Sequence, residues 1–193
     1  MNLQIVCAGT GGRGVLLFST ILIEAAISAG YHAIASDEYG MSQRGGSVVS
    51  LIKIGNFKSP LIGKGNADIL FLFKETEFYR GLGFLKKNGL AIVNTEKNSL
   101  PEEINSIFLK KNITYMNVNA DSIAANKNMV QASNMALLGF FSYLDIKPFN
   151  VYNIKNIIRK KIKQEFLEKN QEIFDSGYEV AQNKNICFKQ LGF

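Results

Sequence analysis

The stretch Leu3-Gln-Ile-Val-Cys-Ala-Gly-Thr-Gly-Gly-Arg-Gly14 decides how the rest of the chain reads. A short apolar run ends at Ala8, and glycines follow at positions 9, 11, 12 and 14. An apolar-rich segment then continues from Val15 to Ala29. The pattern predicts a strand, a tight turn and a helix. Gly9, Gly11 and Gly14 fit the G-x-G-x-x-G spacing that opens a dinucleotide-binding unit. Glycine suits such a turn because it adopts positive φ and lets backbone N–H groups approach an anion or another backbone. The helix starting near Gly14 would point its positive end at whatever occupies the loop.

Outward from this stretch, alternation continues. Gly30 is a natural end for the first helix, and His32 to Ser36 reads as a narrow buried strand. Residues 3–36 thus form a β-α-β unit. Ser47 to Ile54 is rich in Val, Leu and Ile, and Ile69 to Phe73 is a compact apolar run, so both read as strands. Lys74 to Lys87 reads as a helix weakened by Gly81 and Gly83, followed by a strand over Leu90 to Val93. Pro101, Glu102 and Glu103 mark a helix start, and that helix runs to about Lys110. Thr114 to Val118 is the next strand. Beyond Asp121 the chain turns helical: Val130 to Leu144 is apolar on most sides, and Asn153 to Lys169 is amphipathic. The fold expected is α/β, Rossmann-like and doubly wound, a mainly parallel sheet flanked by helices with a helical C-terminal part.

The composition is that of an ordinary globular protein: 193 residues, 47% hydrophobic, 20% charged. One domain over residues 1–193 is expected. The net charge of +6 favours acidic partners or anionic ligands. Its lysines are spread along the chain, which argues against a nucleic-acid surface. Val15 to Ala29 carries Glu24, is too short to span a bilayer and follows four glycines, so it reads as a core helix. No membrane association and a cytoplasmic location are expected. Cys7 and Cys187 lie far apart. Two cysteines cannot hold a four-cysteine iron–sulfur cluster or an all-cysteine zinc site, and the lone His32 makes no metal site.

Asp37 to Gly46, Asp-Glu-Tyr-Gly-Met-Ser-Gln-Arg-Gly-Gly, is the second unusual stretch. Asp37 lies 23 residues after Gly14 (37 − 14), where a dinucleotide enzyme places its ribose-binding acid. Arg44, followed by two glycines, would stand on bare backbone and suits a carboxylate or phosphate. Equally, Gly45 and Gly46 could simply turn the chain into the next strand. Asn134 reads as a satisfied core amide, with a cap or a bridge to a neighbouring loop as the alternatives.

Together, GTGGRG after the first strand, GMSQRGG after the second and Ala67-Asp68-Ile69-Leu70 at the entry to the next resemble a known family. It is the gamma-type subunit of 2-oxoacid:ferredoxin oxidoreductases, and the branch acting on indolepyruvate or related aryl 2-oxoacids is nearest in size. Asn134 to Gly139 and Gly177-Tyr178 extend the likeness over most of the chain. The resemblance implies a subunit rather than a self-sufficient enzyme, within a complex that oxidatively decarboxylates 2-oxoacids to acyl-CoA. Thiamine diphosphate supplies the carbanion chemistry there. The thiamine diphosphate and iron–sulfur clusters would lie on partner subunits, with ferredoxin reached through the complex and coenzyme A in a cavity this chain helps shape. The loops facing substrate or cofactor would hold Gly9, Gly11, Gly12, Arg13, Gly14, Ser42, Arg44, Gly45 and Gly46. The catalytic residues are not identified, no cofactor is assigned to this chain alone, and a homodimer of the isolated chain stays open. One departure stands out: the family often has Gln at the position of Arg13, whose charge would either reinforce anion binding or lie in solvent. Two other readings compete, an independent NAD-binding oxidoreductase using Asp37 and a non-catalytic interaction module whose glycines only permit close packing.

Overall fold

A computed structural model describes residues 1–40 and 45–184. In chain order the elements are β1 (Leu3–Thr10), α1 (Val15–Ser28), β2 (Ala33–Tyr39), β3 (Ser47–Ile54), β4 (Ala67–Leu72) and the short α2 (Phe78–Gly81) between two 3-10 turns. There follow β5 (Leu85–Asn94), α3 (Glu102–Lys111), β6 (Thr114–Val118), α4 (Ala120–Ala125), α5 (Ser133–Tyr143), α6 (Val151–Lys161) and α7 (Gln164–Asn183). The described residues form one six-stranded sheet in the order β2-β3-β1-β4-β5-β6.

The sheet is mixed. β1, β4, β5 and β6 pair in parallel, whereas β3 is antiparallel to both β1 and β2. β2 therefore points the same way as β1, but β3 lies between them. The β-α-β unit of residues 3–36 exists with its two strands split apart. In consequence β2 is an edge strand, longer than expected and largely exposed from Asp37 to Tyr39, not the buried strand its Ala33-Ile34-Ala35 core suggests.

Period-two alternation divides the core between the two faces of the sheet. Ile5 and Cys7, with Ile52, Ile69, Phe71 and Ile92, pack beneath α1, α5, α6 and α7. Val6 and Ala8, with Leu51, Leu70, Leu72 and Val93, pack against Phe78, Leu82, Ile104 and Phe108 on the other face. Gly30 ends α1 as expected: its N–H reaches Ile27 O at 2.9 Å, and Tyr31 N–H reaches Ala26 O at 3.0 Å, the paired bonds of a left-handed cap.

Two helix boundaries differ from the sequence reading. Lys74 to Lys87 is broken turns rather than one helix, and β5 already begins at Leu85, which is fully buried. Tertiary packing overrides propensity here: a Cβ on Gly81 would stand 2.8 Å from a Leu72 methyl, so this segment lies flat on β4. Asn153 to Lys169 splits at Ile162 and Lys163, whose extended backbone interrupts the helical ladder. Apolar spacing runs through such a break unchanged and cannot reveal it. α6 nonetheless buries Ile154, Ile157 and Ile158, as its amphipathic pattern requires. Cys187, Phe188 and Phe193 lie outside the described residues. Among those described, no helix is long and apolar enough to cross a membrane.

α5 is buried from Ser133 to Ser142, because α7 crosses directly over it. The crossing is nearly backbone on backbone. A Cβ on Gly139 would lie 1.9 Å from Phe174 O, and one on Gly177 would lie 2.1 Å from Ala136 O. Gly139→Ala should therefore force the helices apart and lower the unfolding free energy by at least about 2 kcal/mol. Gly83→Ala meets open space and should stay within about 0.5 kcal/mol. Denaturant titration of the two variants against the parent checks the contrast.

Candidate functional site

The carboxyl ends of β1, β2 and β4 share one edge of the sheet, and both glycine-rich stretches meet there. Gly11 N–H donates to Gly46 O at 2.8 Å and joins them. Gly40 N–H donates to Ser47 O at 2.8 Å and closes the β2–β3 connection below. Ser42 and Arg44 lie outside the described residues.

The glycines have separate physical reasons. A Cβ on Gly9 would come within 2.7 Å of a Val15 methyl and 2.8 Å of Phe73 Cβ. On Gly14 it would meet Asn134 Nδ2 at 2.4 Å, and Gly14 also has a φ of +72°. These two are packing glycines, as the interaction-module reading supposes. Gly12 is different, since a side chain there would meet nothing within 4 Å. Gly14 precedes α1 without a side-chain cap, and the first turn carries no acid. The loop thus leaves the positive end of a 14-residue helix open. Asn134, nearly fully buried, donates to Gly14 O at 3.2 Å and fastens the start of α5 to this turn. It is both a core amide and a bridge to a loop.

Arg13 does not lie free in solvent but is held in an ion pair with Asp121. One guanidinium nitrogen donates to both carboxylate oxygens of Asp121, each at 2.7 Å. Behind this pair sits buried Asn94 at the end of β5. Its Nδ2 donates to Phe73 O at 3.1 Å and Asp121 Oδ1 at 2.9 Å, while its Oδ1 accepts from Ala120 N at 2.9 Å and Asp121 N at 3.3 Å. A single amide thus joins Phe73, just beyond β4, to β5, α4 and, through Asp121, the glycine loop. Neither Asn94 nor Asp121 carries a sequence motif. The only signal for Asn94 is a polar residue ending an apolar strand.

The loop is the wall between two clefts. On one side, about 400 Å³ is lined by Gly12, Gly14, Leu17, Asn134, Lys161, Lys163 and Phe166. Lys161 is ion-paired with Glu24. On the other, about 620 Å³ is lined by Thr10, Gly45, Gly46, Ser47, Glu38, Glu77 and Arg80. Glu77 is buried there, accepting from the Ser47 hydroxyl at 3.2 Å and lying 3.7 Å from the Arg80 guanidinium. Glu77 and Arg80 were not singled out from the sequence because they lie in what reads as an ordinary helix.

Asp37 lines neither cleft. It stands in β2, exposed, opposite Ser50, which in turn lies opposite Cys7. With β3 interposed, β2 is two interstrand spacings from β1, about 9–10 Å. A ribose-binding acid belongs on the strand beside the glycine loop, so this arrangement removes the basis of the NAD reading. Burial first, and the charge of Asp37 second, push the Cys7 thiol well above its ordinary value. A neutral, enclosed thiol is a core residue rather than a nucleophile. His32 is exposed at the opposite end of β2, with Nδ1 3.3 Å from Gly55 O. Among the described residues no cluster of His, Cys, Asp and Glu could hold a metal ion.

A split parallel strand pair, an uncapped glycine loop and a helical C-terminal layer define a class, and comparison with known proteins identifies it. The family model for pyruvate ferredoxin/flavodoxin oxidoreductase matches residues 4–180, and the chain belongs to that family. It is 34% identical to the indolepyruvate oxidoreductase subunit IorB of Archaeoglobus fulgidus, over 94% of this chain and 96% of that one. Among solved structures, the gamma subunit of the keto/oxoacid ferredoxin oxidoreductase from Geobacter sulfurreducens is similar at a TM-score of 0.74 and 23% identity, over 94% of this chain and 99% of that one. The 2-oxoglutarate:ferredoxin oxidoreductase from Magnetococcus marinus, solved with 2-oxoglutarate, coenzyme A and succinyl-CoA bound, is similar at a TM-score of 0.78 and 20% identity. There the likeness covers 94% of this chain and 31% of the larger one.

Asn94→Ala should cost about 2–3 kcal/mol, since it strands buried backbone groups at the start of α4. Asn94→Asp keeps the acceptor toward α4 but sets a second carboxylate against Asp121. The neighbouring charge raises that carboxyl's folded pKa, so the variant should be destabilised at neutral pH and regain stability as pH falls into the carboxylate range. Thermal melts at neutral and acidic pH, scored against the parent, test both.

Proposed function

We propose that this chain is the gamma-type subunit of a 2-oxoacid:ferredoxin oxidoreductase acting on indolepyruvate or another aryl 2-oxoacid, with residues 1–193 as one domain. The observation that carries this reading is similarity along nearly the whole chain to a subunit named for indolepyruvate, with both glycine stretches joined at one sheet edge. The reaction is oxidative decarboxylation to an acyl-CoA, and its electrons pass to ferredoxin. Bound thiamine diphosphate supplies the carbanion chemistry and iron–sulfur clusters the electron transfer. Cys7, enclosed in the core, is not placed to ligate a cluster. On this reading both groups belong to partner subunits and the assembly works in the cytoplasm.

This chain's own part is to bind and orient. The cleft beside Gly12 and Gly14 combines an open helix N-terminus with Lys163, next to the ion-paired Lys161, a donor set that suits an anionic group such as a phosphate of coenzyme A. Its apolar wall of Leu17 and Phe166 suits the uncharged part of the same ligand. Across the loop, Glu77 and Arg80 can fix a polar group of substrate or coenzyme. Arg13 works by holding the loop to Asp121, so that Gly12 and Gly14 keep their positions.

Two measurements test the reading. The purified chain alone should show no visible iron–sulfur absorbance and no reduction of ferredoxin. Co-expression with its partner subunits should yield a coloured complex that reduces ferredoxin in the presence of an aryl 2-oxoacid and coenzyme A. In that complex Lys163→Glu should raise KM for coenzyme A about tenfold while leaving KM for the 2-oxoacid unchanged. An unchanged coenzyme A KM would move the anion site elsewhere.

A further inference from the structure

We propose that the groove between α2 and α3 is where an acidic, apolar helical segment of a partner oxidoreductase subunit docks. The inference rests on the subunit reading above and adds the contact surface and the chemistry of its occupant. α2 is only four residues long between 3-10 turns, so the helical cover on this face of the sheet is thin. Between it and α3 lies a hollow of about 610 Å³. Its floor is Leu82 and Ile104, both buried, and its rim carries the Ile107 side chain and a Tyr79 that is 76% exposed. An open tyrosine beside an apolar floor is the composition found at the centre of protein interfaces.

The charge of the rim selects the occupant. Lys87, Lys110 and Lys111 border the groove against one acid, Glu103, and none of the three lysines forms an ion pair among the described residues. Lys110 and Lys111 also offset the negative end of α3, but Lys87, on β5, has no such local duty. A second copy of the chain would bring the same lysines face to face, which disfavours a twofold contact through this groove. Three lysines around an apolar hollow are too few to track a nucleic-acid backbone. What fits is a helix that presents leucine or aromatic anchors on one stripe with Asp or Glu beside them. Lys87 and Lys111 lie toward the amino ends of β5 and β6, away from the glycine edge.

The test uses this chain and separately purified partner subunits of the complex, with affinity measured by sedimentation at low and high salt. The parent should bind, and more weakly as salt rises from about 50 mM to about 500 mM. The triple variant Lys87→Glu, Lys110→Glu, Lys111→Glu should bind at least about tenfold more weakly and lose the salt dependence. Ile107→Asp should weaken binding at both salt concentrations. Hydrogen exchange on the unmodified complex gives an answer that does not depend on variants folding: residues 79–87 and 103–111 should slow only when partner is present. Parent-like affinity in both variants, or no slowing in these segments on a complex that forms, overturns the groove while the subunit reading stands. Slowing of the same segments by self-association of the isolated chain replaces the partner with a second copy and also overturns it. If the parent binds no partner subunit at all, the subunit reading itself fails.

Discussion

The insertion of β3, reversed, between β1 and β2 is the constraint on which the rest of this structure depends. β1 must satisfy its backbone on both sides, and it pairs along its whole length with β3 and in parallel with β4. With β3 in that place, Gly46 arrives beside Gly11 and the two glycine stretches become one surface. The same insertion pushes Asp37 outward and separates this fold from a nucleotide-binding sheet with a similar opening sequence. A glycine spacing shared with dinucleotide enzymes is thus put to a different use by one change of strand order.

A loop made largely of glycine has little to hold it still, because each glycine loses much conformational freedom on ordering. Here order is imposed from neighbouring elements. Asn134 fixes Gly14 from α5, and Arg13 is fixed by Asp121, itself seated on Asn94. The contacts that immobilise the loop fall at Gly11, Arg13 and Gly14, and a side chain at Gly12 would meet nothing within 4 Å. A partly shielded pair such as Arg13 with Asp121 contributes modestly to stability on its own; its larger effect is positional.

Much of this was legible in the sequence. Buried strands with Val, Ile and Leu announce themselves, and Leu3 to Ala8, Ser47 to Ile54 and Thr114 to Val118 fall where the pattern puts them. Cys7, inside the apolar run that predicts the first strand, is fully buried with it. Strand order was not legible, because local pattern says nothing about which neighbour a strand will choose, and the exposure of β2 follows from that choice alone. The break at Ile162 was hidden by uninterrupted apolar spacing. Glu77, Asn94 and Asp121 were invisible for a related reason: their partners Ser47, Phe73 and Arg13 lie far along the chain, and no local spacing encodes such a meeting.

The crossing of α5 and α7 has a mechanical consequence. With Gly139 against Phe174 O and Gly177 against Ala136 O, there is no layer of side chains to act as a lubricant. The two helices cannot shear past one another by small rotamer adjustments, as helices separated by leucines can. They behave as one rod, and its near end is Asn134, whose amide grips the turn before α1. A shift of α7 is therefore shared by α5, whose first turn is tied through Asn134 to the turn before α1.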